Sequence, residues 1–169
     1  MAITINGSTG ITSVNGSTGT PSYTGADTDT GIYFPTVNQV AIVAGGSESA
    51  SIDSSSNFKF NSGYGSAATA YGCRAWVNFN GQGTVAIRAS GNVSSITDLS
   101  LGYYAVNMTN SMPDTNYTVV ATLQHFNTVT KITGVSGADF NSTISAFSIF
   151  TWYNSGDFDP STVNVAVFR

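Results

Sequence analysis

The feature that most constrains this chain is its punctuation. β-favouring runs of a few residues alternate with Gly, Asn-Gly and Ser/Thr clusters. No convincing helical period interrupts them, so the sequence predicts an all-β fold. The opening is a near-repeat. Ile3-Thr4-Ile5-Asn6-Gly7-Ser8-Thr9-Gly10 is followed by Thr12-Ser13-Val14-Asn15-Gly16-Ser17-Thr18-Gly19. Each copy is a short apolar run closed by Asn-Gly, the dipeptide suited to a tight turn at positive φ.

Two regions read differently, residues 1–70 and 71–169. In the first, a turn cluster at Gly25-Ala26-Asp27-Thr28-Asp29-Thr30-Gly31 leads into Ile32-Tyr33-Phe34, which stops at Pro35. Val40-Ala41-Ile42-Val43, Ser51-Ile52-Asp53 and Phe58-Lys59-Phe60 follow, all short. About a dozen apolar side chains over about 60 residues cannot offset an ordering cost of about 1–2 kcal/mol per residue. Such a segment is disordered or is ordered by other chains. Low charge, the Ile/Val/Phe/Tyr content and the regular turn chemistry oppose disorder. The expectation is therefore an extended, intertwined N-terminal stalk of short strands, most simply a symmetric homotrimer.

From Cys73 the pattern is that of a conventional β domain. Arg74 to Asn80 and Thr84 to Ser90 flank a Gly-Gln-Gly turn, with Val85 and Ile87 on one face. Tyr104, Val106 and Met108 alternate against Tyr103, Ala105 and Asn107, the period-two mark of a half-buried strand. Tyr117 to Phe126, Thr143 to Tyr153 and Val163 to Phe168 read as further strands, and residues 128–138 as a polar hairpin connection. About seven strands at about 8–12-residue spacing predict a C-terminal antiparallel β-sandwich.

Composition narrows function. Only 8% of residues are charged, with 5 Lys+Arg against 9 Asp+Glu and a net charge of −4. In their place stand 23 Ser and 22 Thr. Five scattered basic residues cannot neutralise a run of phosphates, so no nucleic-acid partner is expected. No apolar run is long enough to span a membrane as a helix. The single Cys73 excludes an intrachain disulfide and a Cys-based zinc cluster. The opening residues lack the basic and apolar regions of a signal peptide, and the Asn-x-Ser/Thr triplets read as surface composition.

Two stretches resemble known proteins. Pro21 to Tyr33, with its Asp-Thr-Asp-Thr-Gly-Ile-Tyr turn, then Val40-Ala41-Ile42, Gly45-Gly46 and Ile52-Asp53-Ser54-Ser55-Ser56-Asn57, resembles a stalk unit of tailed-phage fibre proteins, with Ser56 where Gly is usual. Cys73 to Asp98, continued by Tyr104 to Met108 and Met112 to Tyr117, is similar to a C-terminal domain of marine and cyanobacterial phage tail-fibre-like proteins. This chain is far shorter than the usual long fibre. The resemblance implies a trimeric, structural or adhesive virion protein. Its N-terminal region would dock on tail, baseplate or capsid proteins, and its C-terminal domain would face a host-surface glycan or protein. A capsid decoration or head-fibre protein is the alternative, and a polysaccharide depolymerase a weaker one.

No catalytic, cofactor or metal site is expected. Asp27 and Asp29 begin a calcium-loop pattern without its later ligands and read as an Asx-turn. A glycosidase pair needs two carboxylates in a cleft, yet the carboxylates sit in turn contexts. Cys73, beside Arg74 at the start of the domain, reads as a packed thiol rather than a nucleophile with His125 as its base. The aromatic set of the C-terminal region is the better lead. Trp152 and Tyr153 are adjacent, so in a regular strand they face opposite sides. An exposed aromatic beside polar loop residues suits sugar stacking. Trp152, Tyr153, Asn154, Asp157 and Phe158 are therefore the candidate host-contact residues, against the plainer reading of a loop at the end of the domain.

Overall fold

The computed structural model describes residues 4–6, 10–12, 14–125, 129–131, 142–153 and 156–169. Among them the secondary structure is strand only, in antiparallel pairs, so the fold is all-β. The chain divides into two compact units, Met1–Ala70 and Tyr71–Arg169.

The first unit opens with β1 (Thr4–Asn6) paired to β2 (Gly10–Thr12), so the first repeat folds back onto the start of the second. The second repeat turns over Ser17 and Thr20, whose backbones exchange hydrogen bonds of 3.0 and 3.3 Å. Gly16 stands at the entrance to that turn with φ of 74°.

Six strands then form a meander in chain order: β3 (Tyr23–Thr24), β4 (Gly31–Tyr33), β5 (Val40–Ala44), β6 (Ser47–Ile52), β7 (Phe58–Phe60) and β8 (Ala68–Thr69). Asx-turns shape the links between them. The Asp29 N–H donates to Asp27 Oδ1 at 3.4 Å, and the N–H groups of Ser55 and Asn57 donate to Asp53 Oδ1 at 2.9 and 3.0 Å.

Register sorts the meander's side chains onto two faces. Tyr33 stands opposite Ala41, and Ala41 opposite Ser51. On this face Tyr33, Ala41 and Val43 make a small buried cluster. There the Tyr33 and Ser51 hydroxyls donate to the two Glu48 oxygens at 2.9 and 2.7 Å. The other face links Tyr23 to Ile32, Ile32 to Ile42, Ile42 to Ala50, Ala50 to Phe60 and Ile52 to Phe58. Tyr23, Ile32, Ile42, Ile52, Phe58 and Phe60 are all exposed there, from 37% to 50%. A sheet face of Ile, Phe and Tyr is thus left open to solvent.

The second unit holds two sheets. One has the order β10 (Ala86–Gly91), β9 (Cys73–Asn80), β18 (Thr162–Phe168), β13 (Thr118–His125) and β14 (Val129–Lys131). The other is β11 (Val93–Ser100), β12 (Tyr103–Met108) and β15 (Ala146–Phe150). A short hairpin, β16 (Trp152–Tyr153) with β17 (Gly156–Asp157), completes the unit.

Alternation fills one core from both sheets. Ala75, Val77, Phe79, Val163, Val165 and Val167 come from the five-stranded sheet. Tyr104, Val106, Met108, Phe147 and Ile149 come from the three-stranded one. Val85 and Ile87 pack against this core, as their shared face requires. Phe79 and Tyr104 meet edge-on across it, centroids 5.2 Å apart. Arg88, at a bulge in β10, ties that edge strand down through the Phe79 and Ser161 carbonyls at 3.1 and 2.6 Å. The segment read from sequence as one strand from Thr143 to Tyr153 is broken at Thr151. Its side chain and N–H are taken up by long-range hydrogen bonds described below. Residues 128 and 132–138 of the expected polar connection lie outside the described residues.

Candidate functional site

The 152–158 hairpin is held from beneath. Thr151 is buried and bonds in two directions. Its N–H donates to the Gly102 carbonyl at 2.7 Å, and its hydroxyl lies 2.6 Å from the Phe158 carbonyl and 3.1 Å from that of Gly102. Gly102 has φ of 71°, and a Cβ there would fall 2.5 Å from the Thr151 oxygen, so only glycine fits. Gly102 N–H and the Tyr104 hydroxyl both donate to Asp159 Oδ1 at 2.7 Å. Burial first, then the Asp159 carboxylate, holds the Tyr104 phenol far above its usual range, so it stays a donor. Gly81 closes the set by donating to the Pro160 carbonyl at 2.9 Å.

On this base the hairpin places Trp152 directly opposite Asp157. Cross-strand partners share a face, so the exposed indole and the exposed carboxylate stand side by side. Tyr153 pairs with Gly156 in the backbone register. Phe158 is half-buried at the base, its N–H donating to the Thr151 carbonyl at 3.4 Å. The structure thus brings Trp152 and Asp157 together and uses Phe158 in the anchor. Asn154 lies outside the described residues.

Asp27, Glu48, Asp53 and Asp114 are engaged in local structure. Glu48 borders a concavity of about 480 Å³ that is also lined by Ser47, Lys59, Asn61, Ser66 and Ala67. Asp114 is bidentate with Arg169, Nε to Oδ1 at 3.0 Å and Nη2 to Oδ2 at 2.5 Å. Arg169 and the Asn116 N–H hold the Asp114 carboxyl below its usual range. The side-chain hydrogen bond to Thr30, then those to Asp29, lower Asp27, while the Asp27 hydrogen bond, then its charge, raise Asp29. Among the described residues, no group of three or more His, Cys, Asp or Glu side chains is placed to hold a metal ion.

Two exposed features were missed in reading the residues alone. The first is the continuity of the apolar face on β3 to β7, which only the register reveals. The second is Trp76, 45% exposed on β9. Its signal was present, since Trp76 falls between Ala75 and Val77 and out of phase with both. The chain matches no family model, no curated protein and no solved structure.

Proposed function

We propose that this chain is a short trimeric fibre protein of a tailed-phage virion. Residues 1–70 form the oligomeric, virion-docking stalk, and residues 71–169 form a β-sandwich that contacts the host surface. One observation carries the reading: the Tyr23, Ile32, Ile42, Ile52, Phe58 and Phe60 face that its own chain leaves uncovered. Those six residues expose about 500 Å². That lies at the upper end of the patches soluble monomers show, and is more than half of one partner's share of a standard interface. Val40 and Ala50 on the same face add apolar surface to it.

The fibre resemblance of residues 21–57 coincides with this face, and the hairpin carrying Trp152 and Asp157 supplies an exposed aromatic and carboxylate for adhesion. Gold-labelled antibody against residues 71–169 tests the assignment on phage particles released from cells that express the protein. Label at the tail or baseplate is the expected result. Label over the capsid would move the protein to shell decoration, and particles without label would overturn the virion reading.

A further inference from the structure

The outward face of the five-stranded sheet carries two parallel rows of side chains. Directly opposed pairs place Ala89, Asn78, Asn164 and Thr122 in one row, and Gly91, Trp76, Ala166 and Val120 in the next. The rows are two residues apart along each strand, about 7 Å.

The first row is polar and ordered. Asn78 Nδ2 donates to Asn164 Oδ1 at 2.6 Å, and Asn164 Nδ2 donates to Thr122 Oγ1 at 3.4 Å. These bonds use neither Asn78 Oδ1 nor the Thr122 hydroxyl hydrogen, so an acceptor and a donor are left for a ligand. The second row is apolar, with Trp76 45% and Val120 51% exposed. A Cβ at Gly91 would run into Nε1, Cδ1 and Cε2 of Trp76, so the indole rests on the β10 backbone. Glycine at 91 lets the ring settle there.

We propose that these two rows form a carbohydrate-binding platform for a neutral pyranose. The sugar's C–H face stacks on the Trp76 ring, and its hydroxyls reach across to Asn78, Asn164 and Thr122. The spacing suits one hexose, whose ring and hydroxyl edge together span about the distance between rows. Neither row holds an ionisable side chain, so the groups that meet the Trp76 ring and the Asn78, Asn164 and Thr122 side chains are those of a neutral ligand; the nearby Arg88 guanidinium, 3.3 Å from Thr162 Oγ1, is bound to the Phe79 and Ser161 carbonyls. A protein partner would bury the leftover acceptor and donor at a cost unless it matched both. Sugar hydroxyls serve as either. This site is separate from the 152–158 hairpin and does not rest on the virion reading.

The test uses the full chain with Trp152→Phe, which leaves Trp76 as the sole tryptophan, since the sequence has two. Lactose, cellobiose and N,N′-diacetylchitobiose are the probes, read by saturation-transfer NMR and by Trp76 emission. The expected result is saturable binding of at least one sugar, with Kd on the order of 1 mM. Adding Trp76→Ala should weaken it at least about tenfold, and Asn164→Ala should weaken it severalfold with the indole in place. Circular dichroism checks folding, and if Trp76→Ala does not fold, the Asn164→Ala protein carries the test. Binding of none of the three sugars would overturn the proposal. So would binding unchanged in the two variants, or a Trp76 shielded from acrylamide in the intact assembly, which would make this face an interface between copies.

Discussion

The Tyr104 hydroxyl and the Asp159 carboxylate are joined by a 2.7 Å hydrogen bond across the base of the 152–158 hairpin. Tyr104 is fully buried, and its partner oxygen also takes the Gly102 N–H, so one carboxylate oxygen fixes the β12 turn to the segment entering β18. Tyr104→Phe keeps the ring against Phe79 and removes only the hydroxyl. It should cost about 1–3 kcal/mol in denaturant unfolding, because the Asp159 oxygen loses one of its two donors. The pH dependence has a definite sign. Burial and Asp159 raise the folded phenol's pKa, so its contribution is fully present below the unfolded value of about 10 and is lost as pH rises through the folded one. Wild-type stability should therefore fall above about pH 10 more steeply than that of Tyr104→Phe.

The Asp114–Arg169 pair predicts the opposite limb. The guanidinium and the Asn116 N–H depress the folded Asp114 pKa, so its contribution is present above the unfolded value of about 3.9 and is lost as pH falls through the folded one. Asp53, lowered by the Asn57 backbone and side chain, acts in the same direction in the first unit. Asp114→Asn should flatten acid unfolding of the second unit below about pH 4. Salt should weaken the wild-type effect, because the pair is partly exposed.

Backbone conformation gives two contrary substitutions. Ser56 has φ of 64°, a left-handed conformation that costs a side chain about 1–2 kcal/mol. Ser56→Gly should raise stability by up to about 1 kcal/mol after the entropy of the extra glycine is set against it. Gly102→Ala meets both a φ of 71° and the Thr151 oxygen, and should lower the melting temperature by more than Tyr104→Phe does. Differential scanning calorimetry of the three variants checks the order.

Much of this was legible in the residues. The alternation of Tyr104, Val106 and Met108 named the buried side of β12 because period two is a local property, and all three are in the core. Asp27 declared its turn by composition, and its carboxylate does bond two residues ahead. What escaped was non-local. Thr151 looks like an ordinary strand residue until Gly102 and Phe158 take its hydrogen-bonding groups. Ile32, Ile42 and Phe60 are unremarkable in their separate runs, and only the pairing register lines them up. Trp76 shares its phase with the polar Arg74, Asn78 and Asn80, while its apolar character matches the buried Ala75, Val77 and Phe79.

Host contact through the hairpin is tested by Trp152→Ala, alone and with Tyr153→Ala. Trp152 is exposed and its strand is short, so stability should change by less than about 0.5 kcal/mol. Adsorption of particles to host cells should nevertheless fall. Unchanged adsorption by correctly folded variants would remove the hairpin from the account.

In the proposed trimer, copies of this chain cover the Ile32–Ile42–Phe60 face of one another. Sedimentation equilibrium of the intact chain tests this. The predicted mass is three times 17.5 kDa, or about 52 kDa, falling toward 17.5 kDa in Ile42→Asp while the second unit stays folded. A stable 17.5 kDa wild-type monomer with that face still open would overturn the trimer.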